Sequence, residues 1–410
     1  MQVTSSESFF RNVLWSKFNL VARYVSSFLA TVVIARYLSI DDFSAYNLML
    51  SYLGIYEAIS FFHPNHIRNI LSKNKMSINQ VASIWTVQSL ILWFGVFLSS
   101  IVLYIITKSQ VWLLLTVASF RIALKFQDWV QLVTDSQVSG HYSQKLQGIS
   151  HLAFNIGRVL AAWLGAGAMS LSAFSPLQGL VLYYQQKKLS GDLNITTVWD
   201  FSFAKFKETF RESFLLNLVI LLAVVQSKIS PIIVAEILPL EKLANFQLLI
   251  KLMEPMTTLA SLVFAANYGL LARSVTESKS VYRKTTLRIA GILLFVTILS
   301  FISLWIFPRQ IFLSYFGASY SLVSENLWLG GLLIVSSSVV IFSTQIDFVV
   351  LRYKKVLLKY LLTLLSLGGL FFIKNISTDL TYIVFYLSLV PIFIVLIIDT
   401  IYYFTRGPHV

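Results

Sequence analysis

Twelve long apolar runs dominate this chain, at 11–35, 43–63, 81–106, 111–133, 147–166, 168–184, 212–234, 243–268, 286–307, 322–349, 356–373 and 380–404. About 20 mostly apolar residues are what an α-helix needs to cross the hydrocarbon core. Inside a bilayer every backbone polar group must be bonded internally, so only helices and closed barrels span it. Barrel strands alternate apolar and polar residues over roughly ten positions, whereas these runs are continuous. The chain is 57% hydrophobic and 12% charged, against about 25% charged in soluble domains. That excludes a cytosolic enzyme, a secreted disulfide scaffold and a disordered chain. The expected fold is an all-α polytopic membrane protein of about twelve transmembrane helices. The fifth and sixth runs are the least clearly divided, with only Gly165-Ala166-Gly167 between them.

The formal net charge is +14. In a soluble protein such an excess points to nucleic acid. In a membrane protein it points to inner loops, which carry surplus Lys and Arg. With the N-terminus placed in the cytoplasm, 20 Lys and Arg fall on the inner side, while Arg36, Lys108, Lys242, Arg309 and Lys374 fall on the outer side. This asymmetry predicts an inner-membrane, multi-pass protein with both termini cytoplasmic and no nucleic-acid partner. Met1 to Arg11 lack the charged start, short apolar run and small-residue cleavage site of a secretory leader, so the first run is expected to stay as a helix. With no cysteines, disulfides and thiol chemistry are excluded.

The outer loops are short, the longest running over about 308–321. They leave no room for a periplasmic catalytic domain, so no enzyme is expected. The one long inner connection, 185–211, divides the chain into a six-helix bundle over 1–184 and a second over 212–410. Within it Phe203, Phe206 and Phe210 recur at helical spacing among Lys205, Lys207 and Arg211. That pattern fits either a helix lying on the membrane surface or a cap packed on the bundle.

A repeat supports the two halves. At an offset of 200, Ala35, Leu38 and Leu48 match Ala235, Leu238 and Leu248, and Asp41, Tyr46 and Asn47 face Glu241, Phe246 and Gln247. Each stretch covers the end of one helix, a short loop and the start of the next. Six is even, so both halves enter the membrane with the same sense. Parallel repeats of this kind are related by an axis along the membrane normal, with substrate sites at their interface.

Charges inside the spans are the candidate functional groups, because an ion at the bilayer centre costs at least about 2.5–3.5 kcal/mol. The cations are Lys17, Arg23, Arg121, Lys125, Arg158, Lys228 and Lys251; the acids are Glu57, Asp128, Glu254, Glu325, Asp347 and Asp399. Lys17, Glu325 and Asp399 lie near span ends and are expected to snorkel. Arg121, Lys125 and Asp128, at i, i+4 and i+7, share one helix face. That face is either a wet cationic stripe or a Lys125–Asp128 ion pair. Arg23 either lines a polar path or pairs with Glu57. Arg158 follows Asn155. Lys251 and Glu254 are one turn apart, which favours an ion pair. Pro231 and Pro255 are expected to break the helix ladder locally beside Lys228 and Glu254. Tyr24, Trp129 and Trp163 are candidates for stacking on rings of a ligand, although aromatic residues facing lipid or lining interfaces are the default. A cavity lined by Arg23, Arg121, Lys125, Arg158, Lys228 and Lys251 would take an anion, and phosphate suits both cation types. Glu57, Asp128, Glu254 and Asp347 are the candidates for ion coupling.

No GxxxxGK[ST] motif is present. His63, His66, His141, His151 and His409 lack zinc spacing, so no metal is expected. Asp41-Asp42 reads as a helix N-cap before the second span.

The stretch VVIARYLSIDDFSAYNLMLSYLGIYEAI resembles the first-to-second-helix signature of Wzx-type polysaccharide flippases. Ala35-Arg36-Tyr37-Leu38 and Phe43-Ser44-Ala45-Tyr46 fill the "ARyLg" and "FG.Y" positions, with Ser39 and Ser44 in place of two glycines. The resemblance implies membership of the multidrug/oligosaccharidyl-lipid/polysaccharide (MOP) superfamily, with two bundles around a central cationic cavity. It also implies a flippase that carries an undecaprenyl-diphosphate-linked glycan, such as an O-antigen repeat unit, to the periplasmic leaflet by alternating access. Its expected partners are that lipid-linked glycan, membrane lipids, a polysaccharide polymerase and chain-length regulator proteins. No cofactor is expected beyond a proton or sodium gradient. A cation-coupled multidrug-type antiporter and a membrane polysaccharide polymerase are the rival readings.

Overall fold

The computed structural model describes residues 6–59, 62, 64–73, 75–136, 141–195, 197–374 and 379–406. Among these residues the fold is wholly helical. Its elements are α1 (Ser6–Tyr37), α2 (Ile40–Ala58), α3 (Pro64–Ser72), α4 (Ile78–Thr107), α5 (Gln110–Leu124), α6 (Trp129–Ser136), α7 (His141–Trp163), α8 (Ala168–Asp192) and α9 (Phe203–Ala235). There follow α10 (Leu240–Glu277), α11 (Lys279–Ile306), α12 (Arg309–Phe316), α13 (Ser321–Glu325), α14 (Leu327–Val349), α15 (Tyr353–Ser366), α16 (Leu370–Lys374) and α17 (Leu380–Arg406).

Each predicted span falls on a helix or on a helix pair: α5 with α6 and α15 with α16, each joined by a 3-10 turn, and α13 with α14, parted at Asn326. Among the described residues seven helices are long and apolar enough to cross a membrane, and α10 makes an eighth, with arms Leu240–Phe264 and Asn267–Val275 inclined at 42°. The remaining four spans are α2, α5 with α6, α7 and α8. Their polar residues lower their hydropathy, and they include Glu57, Arg121, Lys125, Asn155, Arg158 and Gln178. The apolar surface is turned outward, as lipid contact requires. On α11 alone Leu287, Leu294, Phe295, Leu299, Trp305 and Ile306 are exposed.

The chain divides into two compact units, Met1–Leu221 and Leu222–Val410, and the boundary falls inside α9. In the first unit α1 runs along α7, while α5 lies against α2, α4 and α8. Gly148 permits the α1–α7 approach: a Cβ there would lie 2.9 Å from the Phe18 ring and 3.0 Å from the Asn19 Cα. A buried cluster of Phe62, Ile67, Met76, Trp85, Trp129 and Val133 knits α3, α4 and α6 together. Phe206 and Phe210 pack against that cluster, with Phe62 and Phe206 edge-to-face at 4.9 Å. Phe206 and Phe210 are therefore in the first turns of α9 packed as a cap, not on a separate surface helix, while Phe203 is exposed. Trp129 is a core residue of this cluster, which removes it from the stacking candidates. In the second unit α14 packs on α10, α11 and α17, around a core that includes Ala260, Phe264, Leu271, Ile289 and Leu293.

Local chemistry explains the boundaries. Gly165 has φ +84°. The Ala166 N–H donates to the Ala161 carbonyl at 2.9 Å and the Gly165 N–H to Ala162 at 3.0 Å. These are the bonds of a Schellman terminator, so the three-residue Gly-Ala-Gly link is enough to part α7 from α8. The start of α2 corrects the sequence reading. Its N-cap is Ser39, whose hydroxyl accepts from the Asp42 N–H at 3.1 Å. Asp41 and Asp42 occupy the first turn instead, where they complement the helix dipole, and Asp42 also accepts from Gln110 Nε2 at 3.0 Å. The second helix of each half begins at Ile40 and Leu240, which keeps the offset of 200. Pro231 and Pro255 both lie within continuous helices, so the bend in α10 comes after Phe264 rather than at Pro255.

Candidate functional site

The fourth span is interrupted where its charges lie. After Leu124 the chain tightens into a 3-10 turn over Lys125–Asp128 before α6 begins. The Lys125 carbonyl accepts from Trp85 Nε1 at 3.2 Å. A 3-10 turn has three residues per turn rather than 3.6, so the i, i+4, i+7 face predicted from a straight helix is lost. Arg121 and Lys125 turn to α2, while Asp128 turns to α8 and accepts from Gln186 Nε2 at 3.0 Å. The alternative Lys125–Asp128 ion pair does not form; Asp128 is held by Gln186 instead.

Glu57 collects both cations. Its Oε1 lies 3.0 Å from Arg121 Nε and its Oε2 3.2 Å from Lys125 Nζ. Each oxygen thus takes one cation, and all three side chains are half-buried. This arrangement replaces the alternative Arg23–Glu57 pair. Arg23 sits with its guanidinium 5.7 Å from the Tyr24 ring centre, on an exposed face of α1.

From Arg121 a polar chain crosses the unit. Arg121 Nη1 approaches Gln178 Oε1 at 3.4 Å, and Gln178 Nε2 meets His151 Nδ1 at 2.9 Å. On the same α7, Arg158 Nη1 donates to Asn155 Oδ1 at 2.9 Å, and Asn155 Nδ2 donates to Ser26 Oγ at 2.7 Å. The Arg158 Nε is buried with no hydrogen-bond partner. Nearer the start of α7, Asn19 Nδ2 donates to Gln144 at 2.7 Å and to Gln147 at 3.2 Å, and Gln147 donates to Gln131 at 2.5 Å. Four predicted site residues of this unit, Arg121, Lys125, Glu57 and Asp128, are thus gathered around one helix interruption. The His151–Gln178 link was not visible as spacing, because it joins α7 to α8 through side chains 27 residues apart.

The second unit has a cluster of the same type. Lys228 Nζ lies 2.7 Å from Glu254 Oε1, and Lys251 Nζ lies 3.1 Å from both carboxylate oxygens. The Lys251–Glu254 pair expected from the sequence forms, and Lys228 of α9 joins it. Thr257 and Thr258 donate to the Glu254 carbonyl at 3.0 and 2.7 Å.

Asp347 belongs to a separate, deeper network. It is 2% exposed and lies 2.6 Å from Lys359, itself 1% exposed, and 3.2 Å from Lys355. Both lysines also reach Asp399 Oδ1 at 2.6 Å, and Ser343 Oγ donates to Asp399 Oδ2 at 2.5 Å. Arg352 and Lys355 face the Tyr402 ring at 5.0 and 4.7 Å. Two sequence expectations are corrected here. Asp399 does not snorkel free, and Lys355 and Lys359, counted with an inner loop, are buried ion partners that tie α14 and α15 to α17. Their spacing with Arg352, i, i+3 and i+7 on one face, was the available signal.

Among the described residues no group of three His, Asp or Glu side chains is placed to hold a metal ion; His63 and His409 lie outside those residues.

No family model matches the sequence, and no curated protein matches it significantly. Solved structures do match over nearly the whole fold. An outward-facing multidrug resistance MATE family transporter of the MOP superfamily superposes with a TM-score of 0.60 at 11% identity, over 98% of this chain and 95% of that one. The lipid II flippase MurJ in an inward closed conformation gives 0.58 at 14% identity, over 95% and 99%. A Vibrio cholerae MATE transporter gives 0.57 at 11% identity, over 98% and 97%. The chain therefore has the fold of MATE and MurJ transporters.

Proposed function

We propose that this protein is an inner-membrane flippase, with both termini cytoplasmic, that carries an undecaprenyl-diphosphate-linked oligosaccharide, such as an O-antigen repeat unit, to the outer leaflet by alternating access. The fold alone serves both multidrug export and lipid II flipping in its neighbours, so the choice rests on charge. The observation that carries it is the surplus of cationic donors. Arg121 has five N–H groups; Gln178 accepts one, and Glu57 Oε1 lies 3.0 Å from Nε as an ion partner. Lys125 has three and gives one to Glu57. Arg158 keeps a buried Nε without a partner. Unused donors on cations in the membrane suit a multiply charged anion with many acceptor oxygens, which a diphosphate is. Organic cations, the cargo of the rival antiporter reading, would want the opposite sign.

Glu57, Asp128, Glu254 and Asp347 remain the groups for coupling to a proton or sodium gradient. The membrane lipids, the polymerase and the chain-length regulators remain the expected partners. The test is complementation of a deletion strain, with lipid-linked repeat units quantified on each leaflet. Units trapped on the cytoplasmic side, released by the intact protein but not by Arg121→Ala at equal membrane abundance, support the reading. Single units gathering on the periplasmic side instead would put a polymerase in its place.

A further inference from the structure

We infer that Glu57 and Glu254 are built-in stand-ins for the anionic group of the substrate, holding the cations between transport events and displacing the substrate at the end of each one. The inference rests on the anion reading above and specifies how that site empties.

Three observations carry it. First, both clusters have the same form, a single glutamate shared by two cations: Arg121 and Lys125 on Glu57, and Lys228 and Lys251 on Glu254. Second, both glutamates lie on the second helix of their unit at a similar distance from its start. Glu57 follows the α2 start at Ile40 by 17 residues, and Glu254 follows the α10 start at Leu240 by 14, a difference of less than one turn. The recurrence is not inherited from identical positions, since Thr257 stands 200 residues after Glu57. Third, the carboxylates are acceptor-only groups that leave the cations partly unsatisfied. A carboxylate offers two oxygens and one charge, whereas a diphosphate offers more of both. The glutamate is therefore a weak competitor for the same donors. It is strong enough to neutralise them in the empty protein and too weak to exclude the substrate.

Competition of this kind has a specific signature. Removing the competitor strengthens substrate binding and slows release, whereas removing a merely structural ion pair weakens binding and stability together. The experiment uses the full chain in lipid nanodiscs, titrated calorimetrically with inorganic pyrophosphate, alongside a translocation assay in proteoliposomes. Glu57→Gln and Glu254→Gln are each expected to bind pyrophosphate about tenfold tighter than the wild type, while translocation falls at least tenfold. Glu57→Asp, which keeps the charge but withdraws it by one methylene, is expected to fall between, and it serves if Glu57→Gln does not fold. Pyrophosphate binding by the wild type that is unchanged or weakened in the Gln variants would overturn the stand-in role and leave the anion reading intact. Failure of the wild type and of every variant to bind pyrophosphate would overturn both.

Discussion

The Asp347 network offers a quantitative test that needs no knowledge of the substrate. Asp347→Ala removes a carboxylate that is 2% exposed and lies 2.6 Å from the almost fully buried Lys359 Nζ. Removing one partner of a buried pair costs about 3–5 kcal/mol, because the survivor is left uncompensated. Here Asp399 still reaches both lysines at 2.6 Å, so the cost belongs at the lower end, about 3 kcal/mol. Lys359→Met alone should cost less, about 2 kcal/mol, because Asp347 keeps Lys355 at 3.2 Å and Arg352 at 3.9 Å. The double variant Asp347→Ala/Lys359→Met leaves Lys355 on Asp399 and buries no orphaned charge. It should lie within about 2 kcal/mol of the wild type, which makes the coupling energy about 3 kcal/mol, at the upper end for contacting residues. The assay is equilibrium unfolding in mixed micelles with rising dodecyl sulfate, followed by tryptophan fluorescence and far-UV dichroism. Single-variant losses that simply add in the double, or a loss below about 1 kcal/mol for Asp347→Ala, would refute the reasoning.

Two further substitutions test the helix contacts that position the site. Gly148→Val places side-chain atoms where Phe18 and the Asn19 backbone already lie within about 3 Å. It should cost about 1–3 kcal/mol by overpacking in the same unfolding assay, and an unchanged midpoint would count against the close α1–α7 approach. Ser39→Ala removes the hydroxyl that accepts from the Asp42 N–H and should cost about 1 kcal/mol, while Ser39→Gly should cost only a few tenths; equal losses would mean that the hydroxyl does not act as the cap.

The fold was legible in the sequence because the bilayer simplifies the code. Continuous apolar runs of helical length admit one secondary structure, and the 200-residue offset between Ala35 and Ala235 reappears as the common start of α2 and α10. The charges were legible as ionisable residues within the spans but not as pairs. Lys251 and Glu254 are three residues apart on a regular helix, so their contact follows from periodicity. Lys125 and Asp128 have the same separation, yet the chain between them is a 3-10 turn, and a change of pitch within one turn leaves no trace in hydropathy. The Lys359–Asp399 contact joins residues 40 positions apart on different helices. It depends on which faces of α15 and α17 meet, which apolar composition does not encode. Ser39, Asp41 and Asp42 are about equally good cap formers by type, so residue identity does not choose among them; capping is decided by backbone angle at one position.

The grouping of charges also follows from energy. Six isolated cations at membrane depth would cost on the order of 15–20 kcal/mol even on the lenient insertion scale, more than the whole stability of a typical domain, about 5–15 kcal/mol. A chain that needs several cations for an anionic cargo must therefore neutralise them when the cargo is absent. Full neutralisation by one acid per cation would leave nothing to attract the cargo. Sharing one carboxylate between two cations is the intermediate solution: Glu57 with Arg121 and Lys125, and Glu254 with Lys228 and Lys251. Each trio of two cations and one glutamate carries one net positive charge, and Asp128, held by Gln186, lies beside the first. The Asp347 network contrasts with both. There two aspartates meet Lys355 and Lys359, with Arg352 3.9 Å from Asp347, and both lysines and Asp347 are nearly or fully buried. Closed to solvent, that network suits holding α14, α15 and α17 together. The more exposed glutamate clusters suit binding.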